Sequence, residues 1–295
     1  MREAKPTGES KRIGLIAGWG RFPILVAKAL KRQGYEVCCI GVHGHADPVL
    51  AEICDEFKYG GMAKIGGHTR FFRKHGCRHA TMAGKIFKTI MFEKFALLRH
   101  LPDLGFLRCF FSVYVTRKKD RRDDTLLSLI TDYFSSQGVD FLPATEFAPE
   151  LLVSAGTLTK KSPSSKEQKD IEFGWKMAKA MGDLDIGQSV VVKERAVMAV
   201  EAIEGTDECI KRAGQLCAGG FTVVKVAKPN QDMRFDVPTI GVGTIETIHQ
   251  AGGAILAIEA DKTIILDQDE TIATANRLGV KVVSIKDANV AVTAA

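Results

Sequence analysis

The chain has 295 residues, 45% apolar and 26% charged, which is enough apolar material for one large core or two of ordinary size. Twenty-eight glycines against nine prolines exclude collagen-like and low-complexity sequence, and no apolar run reaches the roughly 18–20 residues of a membrane span. The net charge of +6 is uneven: 24 basic and 14 acidic residues up to Leu142 (+10) stand against 17 and 21 from Pro143 onward (−4). A basic half joined to an acidic half points to two units with different tasks. The polar lead Met1 to Arg12 lacks the apolar stretch of a secretory signal. Seven scattered cysteines, with Cys38 and Cys39 adjacent, form no CxxC pair. Both observations lead to the expectation of a cytoplasmic protein with reduced thiols.

After a lead expected to be disordered over 1–12, the apolar run Ile13–Ala17 stops at Gly18-Trp19-Gly20. Pro23 opens a segment carrying Leu25, Val26, Ala29 and Leu30 that ends at Gly34, and Val37–Val42 is apolar again. This is strand, glycine turn, helix and strand, a βαβ unit. A second such unit is expected across His68–Ala83, and a helix over Asp123–Gln137 precedes a short strand at Val139–Leu142. Thr157–Asp170, rich in Ser, Lys and Thr, is expected to be an exposed loop before a helix over Asp170–Met181. Short β-branched runs follow at Ser189–Val192, Ala196–Ala202, Phe221–Val226, Ala254–Ile258, Thr263–Leu266 and Val280–Ile285. Helices interleave at Thr206–Cys217, with Thr206 expected as N-cap, and at Asp269–Leu278. The pattern predicts an α/β protein: a Rossmann-like N-terminal domain over 13–142, followed by a second α/β domain over 143–288.

Three groups of residues carry candidate chemistry. Gly18 and Gly20, between strand and helix, can turn backbone N–H groups toward a phosphate or form only a tight structural turn. Pro23 stands where a dinucleotide fingerprint has its third glycine, and no acid follows the second strand, which argues against a Rossmann oxidoreductase. The stretch Lys85–Arg122 holds ten basic and three acidic residues interleaved with aromatic and aliphatic ones. It suits a bilayer surface or a fatty anionic ligand, or else an ordinary helix with solvated basic heads; no nucleic-acid motif accompanies it. The densest cluster begins at Glu201, where Glu204 and Asp207 follow around Gly205. It continues from Lys225 through Lys228, Gln231, Asp232, Arg234 and Asp236 to Thr239. Hard oxygen ligands of this kind suit Mg²⁺ or Mn²⁺, and the neighbouring cations suit a diphosphate; a surface salt-bridge network is the alternative.

Gly14 through Gly18, Gly20 and Pro23, then Leu184-Asp185-Ile186-Gly187-Gln188 leading to Ala199 through Asp207, and finally Lys225 through Gly241 together resemble one family. It is the LpxI-type UDP-2,3-diacylglucosamine pyrophosphatases of lipid A synthesis, and the resemblance runs from about Ile13 to Ile285. It implies a cytoplasmic, Mg²⁺-dependent homodimer that splits UDP-2,3-diacylglucosamine into UMP and 2,3-diacylglucosamine 1-phosphate, called lipid X; the basic-aromatic stretch before Arg122 adds the expectation of peripheral contact at the inner membrane, and the missing motif that of no nucleic-acid partner. The family's essential aspartate falls at Asp236, and its paired aspartates at Asp123 and Asp124. Together with the carboxylate cluster, this leads to the expectation of catalysis by Asp236 and Asp207, and of metal ligation by Asp236, Asp207, Glu204 and Asp232. Substrate contacts are expected from Gly18, Gly20, Asp123, Asp124, Gln188, Arg212, Lys225, Gln231, Arg234 and Thr239. The rival from another class is a non-catalytic sugar-nucleotide or phosphate-binding protein, which would gain nothing from so many carboxylates beside its ligand.

Overall fold

The computed structural model describes residues 11–86, 101–109, 123–229, 231–234 and 237–286, the side chains of 123–126 excepted. Two compact units divide the chain between Ala148 and Pro149. Most of the basic-aromatic stretch Lys85–Arg122 lies outside the described residues.

The first unit is built on β1 (Arg12–Ala17), α1 (Phe22–Arg32), β2 (Glu36–Val42), α2 (Leu50–Ile53), β3 (Glu56–Gly60), α3 (Ile65–Lys74) and β4 (His79–Ala83). It continues through α4 (Asp123–Ser136), β5 (Asp140–Phe141) and α5 (Ala144–Phe147). Its sheet has the order β3-β2-β1-β4-β5, and each pair is parallel. The chain thus winds outward from β1 in both directions, the Rossmann-like arrangement expected. β1 lies inside the sheet, and all its residues after Arg12 are buried. Its Gly14 admits α3 closely, because a Cβ there would stand 2.8 Å from the Phe72 ring. Ile16, Ile40, Phe72, Ala80, Phe134 and Phe141 form the core of this unit. α5, which follows the charge boundary at Leu142, packs back onto this unit: Gln33 Nε2 donates to the Phe147 carbonyl and Tyr35 meets the Phe147 ring edge-on.

The second unit contains β6 (Gly156–Thr157), α6 (Ser165–Asp183), β7 (Ser189–Lys193), β8 (Ala196–Val200), α7 (Thr206–Leu216) and β9 (Thr222–Lys225). After these come β10 (Thr239–Ile240), α8 (Val242–Gln250), β11 (Ile255–Glu259), β12 (Ile264–Ile265), α9 (Gln268–Leu278) and β13 (Lys281–Ile285). Six strands form a sheet of order β6-β13-β11-β9-β7-β8, and β10 pairs with β12 separately. β13, β11 and β9 run parallel, whereas β7 is antiparallel to both β9 and β8. Successive side chains on a strand face opposite ways, so the two faces bury different residues. Val223 and Leu256 pack with α7, α8 and α9 through Ile210, Ile248 and Ala275. Val224 and Ala257 pack with α6 through Ile171, Trp175 and Ala178. Three helices on one face and one on the other make a three-layer α/β domain.

Two local differences from the sequence expectation have clear causes. The expected loop over Thr157–Asp170 is β6 at one end and the start of α6 at the other. Ser164 and Glu167 close a reciprocal capping box there that starts the helix at Ser165. Asp170 is therefore inside α6, and its carboxylate accepts from the N–H groups of Glu194 and Arg195 at 3.0 and 2.7 Å. Those two residues have φ of +52° and +59°, as a two-residue hairpin turn between β7 and β8 requires. The second difference is α8, absent from the sequence pattern because Val242, Thr244 and Thr247 are weak helix formers; burial of Ile245 and Ile248 holds it.

Candidate active site

In α/β sheets, ligands are received where parallel strands end at their carboxyl edge, and each unit has such an edge. In the first unit it lies at Gly18-Trp19-Gly20, where the loop after β1 meets the loop after β4. The Gly18 amide donates to the Ala83 carbonyl at 2.8 Å, and Trp19 exchanges two backbone bonds with Lys85, at 2.7 and 3.0 Å. A Cβ on Gly18 would stand 2.6 Å from the Lys85 carbonyl, and Gly20 has φ of +104°. Glycine at both positions thus follows from a close backbone crossing and a left-handed turn. α1 begins immediately beyond, with Pro23 in its first turn.

In the second unit the edge is populated by charged side chains. Ser189 pairs with Lys225 across β7 and β9, and the Glu201 amide donates to the Ser189 carbonyl at 2.9 Å. Three strand ends therefore bring Ser189, Glu201 and Lys225 together against the start of α7. The Lys225 ammonium donates to Thr206 Oγ1 at 2.8 Å, and the Thr206 hydroxyl donates to Glu201 Oε1 at 3.0 Å. Ser189 Oγ lies 3.3 Å from the same hydroxyl. Lys225 is 5% exposed and Glu201 7%, so both ionic groups are almost wholly out of water. Thr206 is not the N-cap expected from sequence. Gly205, with φ of +84°, takes that place, which releases the Thr206 hydroxyl for side-chain partners.

The loop leaving β9 is anchored from below. Glu259, closing the otherwise apolar β11, is 4% exposed. Its Oε2 accepts from the Ala227 amide at 2.8 Å and from Lys179 Nζ at 2.6 Å. Sequence reasoning passed over this pair, although an acid ending a buried β-branched strand was a visible signal. Further along, the Lys228 amide donates to Gln231 Oε1, and Lys228 Nζ donates to Asp185, at 2.8 and 2.7 Å. Arg234 grips Asp232 through Nε and Nη2, the shortest contact being 2.6 Å. Burial pushes the Asp232 carboxyl upward, but the Arg234 side chain and amide outweigh it and hold the group below its ordinary value. Thr239 Oγ1 donates to the Val237 carbonyl at 2.8 Å.

Around the start of α7, Arg212 Nη2 donates to the Val200 carbonyl at 2.7 Å and to Glu204 Oε1 at 2.6 Å. The Glu204 carboxyl is held below its ordinary value by its own backbone amide first and by Arg212 second. Asp207 is exposed in the first turn of α7. Gln188 Oε1 is buried without a hydrogen-bond partner among the described residues. Asp123 and Asp124 open α4, but their side chains lie outside the described residues, as does Asp236.

Lys225 and the Asp232–Arg234 loop therefore sit at or just beyond this edge, with Arg212 on α7 and Glu204 in the turn just before that helix. Glu204 and Asp232 are each engaged by an arginine, and no group of three His, Cys, Asp or Glu that could hold a metal ion occurs among the described residues. Those residues do not make up a Mg²⁺ site by themselves. No described helix is long and apolar enough to cross a membrane.

Residues 12–151 match the family model of the LpxI N-terminal domain, and residues 154–283 that of the LpxI C-terminal domain. The chain belongs to the LpxI family. A curated relative from Caulobacter vibrioides (strain ATCC 19089 / CIP 103742 / CB 15), named UDP-2,3-diacylglucosamine pyrophosphatase LpxI, is 33% identical over 285 residues, covering 93% of this chain and 98% of the relative. Among solved structures, phosphoribosylglycinamide synthetase from Anaerococcus prevotii is 14% identical, and the match covers 72% of this chain and 44% of that one. Its TM-score of 0.22 carries no weight for fold or function. The LpxI-family assignment spans both units, and the match to the C-terminal domain includes the whole Glu201–Thr206–Lys225 edge.

Proposed function

We propose that this LpxI-family chain hydrolyses the diphosphate of UDP-2,3-diacylglucosamine, yielding UMP and 2,3-diacylglucosamine 1-phosphate for lipid A synthesis. The observation that carries this reading is the end-to-end likeness to a relative named for that activity. The chemistry consumes one water: its oxygen bonds to a phosphorus, the bridging P–O bond breaks with its electron pair, and a base accepts the proton. Such a reaction needs positive charge on the nonbridging oxygens and a carboxylate for the water. Lys225 and Arg234 are assigned the first task. Asp236, matched to the family's essential aspartate, is assigned the second, with Asp207 and Glu204 as the further carboxylates.

Mg²⁺, with Mn²⁺ as its substitute, is the proposed cofactor, and a divalent cation would neutralise the diphosphate oxygens. It is proposed from that chemistry and the family resemblance. The Gly18–Gly20 turn and the start of α1 are assigned to the nucleotide or diphosphate, and Gln188, Gln231, Arg212, Thr239, Asp123 and Asp124 to further substrate contacts. The proposal includes a cytoplasmic homodimer meeting the inner-membrane face peripherally. Incubation with UDP-2,3-diacylglucosamine and Mg²⁺, with UMP release measured before and after EDTA, tests the core of it. Folded protein that binds the substrate but releases no UMP would replace the enzyme with the non-catalytic binder.

A further inference from the structure

Three side chains from three separate elements meet at the carboxyl edge of the second sheet, and their hydrogen bonds have a direction. The Thr206 hydroxyl has one proton and two lone pairs. Its proton goes to Glu201 Oε1, and its oxygen accepts from Lys225 Nζ; Ser189 Oγ stands on the remaining side. One hydroxyl thereby connects a buried carboxylate to a buried ammonium. A buried carboxylate and ammonium placed only to stabilise the edge would gain little over apolar packing, and a structural carboxylate would be expected to have both oxygens bonded. Glu201 does not: its Oε2 is buried with no hydrogen-bond partner among the described residues. Lysine, with a flexible four-carbon stem, needs an external partner to fix its head.

We infer that Glu201 and Thr206 are positioning residues for Lys225, Glu201 supplying the counter-charge and the Thr206 hydroxyl setting where the ammonium points. Lys225 then presents its charge to the substrate diphosphate from a fixed place instead of sweeping through solvent. The inference rests on the proposed pyrophosphatase reading and adds to it two residues that would act through a third. Gly187 belongs to the same construction. A methyl there would run into the Glu201 carbonyl, so the 187 position must stay bare for Glu201 to sit where it does.

The test is a double-mutant cycle on the full chain, with UDP-2,3-diacylglucosamine turnover as one readout and urea unfolding as the other. Lys225→Met is expected to lower kcat/KM about a hundredfold, and Thr206→Val and Glu201→Gln roughly tenfold each, as loss of hydrogen bonds to charged groups implies. Thr206→Ser, which keeps the hydroxyl, is expected to stay within about twofold of wild type. In the Lys225→Met background, Thr206→Val and Glu201→Gln should cost nothing further, because the group they position is gone. A merely structural role would carry its loss into that background unchanged, and that result would overturn the relay. So would a Thr206→Val enzyme with wild-type kcat/KM, or a Thr206→Ser enzyme as poor as Thr206→Val. Folded wild-type protein with no turnover would instead overturn the pyrophosphatase reading, and the catalytic purpose of the relay with it.

Discussion

The two units end their parallel strands in opposite ways. At the first edge the loops after β1 and β4 close on each other through backbone, Gly18 to Ala83 and Trp19 to Lys85. At the second edge the closure is made by side chains, with Lys225, Thr206 and Glu201 in one chain of bonds. Backbone closure spends amides that could otherwise meet a phosphate and leaves a rigid turn. Side-chain closure keeps an ammonium and a carboxylate desolvated, where each interacts more strongly than in water. The topology of a parallel sheet identifies where a ligand is received; what is done to the ligand depends on which kind of group closes the edge.

Asp236→Asn is expected to cut kcat about a thousandfold with unfolding free energy unchanged. Full Mg²⁺-dependent UMP release from that variant would remove Asp236 from the chemistry and, with it, the case for the second unit as the catalytic one.

Next comes acid sensitivity, which should separate the units. Burial first, and the Lys58 ammonium second, push His68 in α3 down to about 4. A depressed folded value means the neutral ring stabilises the fold above the unfolded value of about 6.5. That contribution is lost as pH falls from there toward about 4 and is worth at most about 3 kcal/mol. Asp232, also held below its ordinary value, contributes above the unfolded carboxylate range near 3.9 and loses that contribution only below it. Hydrogen exchange read separately over 13–83 and 189–285 should therefore show the first unit loosening at pH 5 and the second still protected. His68→Gln should abolish the difference, and equal loosening of both units in wild type would remove His68 as its cause.

A matched pair of glycine substitutions follows. Gly18→Ala and Gly187→Ala each push a methyl against a backbone carbonyl, that of Lys85 and that of Glu201 respectively. Each should cost about 1–3 kcal/mol by urea unfolding. Their kinetics should differ: Gly18→Ala raises KM and Gly187→Ala lowers kcat. A fall in kcat of equal size in both would erase the distinction between the two edges. The smallest effect is expected at Ser164→Ala, about 1 kcal/mol of stability from the lost capping box with kcat untouched.

Much of the fold was legible in the residues. Ile13–Ala17, Gly18-Trp19-Gly20 and Pro23 mark the strand, turn and helix start where β1 and α1 stand. Glu201 shows the limit. In the chain it stands only as the first acid of the cluster that continues with Glu204 and Asp207, and nothing in that spacing places it against Thr206 and Lys225. Three strand ends have to be brought to one edge before the relay exists. Thr206 misled in a similar way: a threonine before a helical run is a cap by local rule, and the turn at Gly205 gave its hydroxyl other work.

The α/β class, the basic and acidic halves, the glycine turn and the loop rich in carboxylates and cations can all be read from the residues, because they depend on periodicity and on contacts between near neighbours. Tertiary structure alone decided which charges are paired and which are buried. Glu259 holds Lys179, 80 positions away in the chain, and Lys225 reaches Thr206 across 19. Such pairings are made when strands distant in sequence end at the same edge, and desolvation then fixes what each charged group must bind.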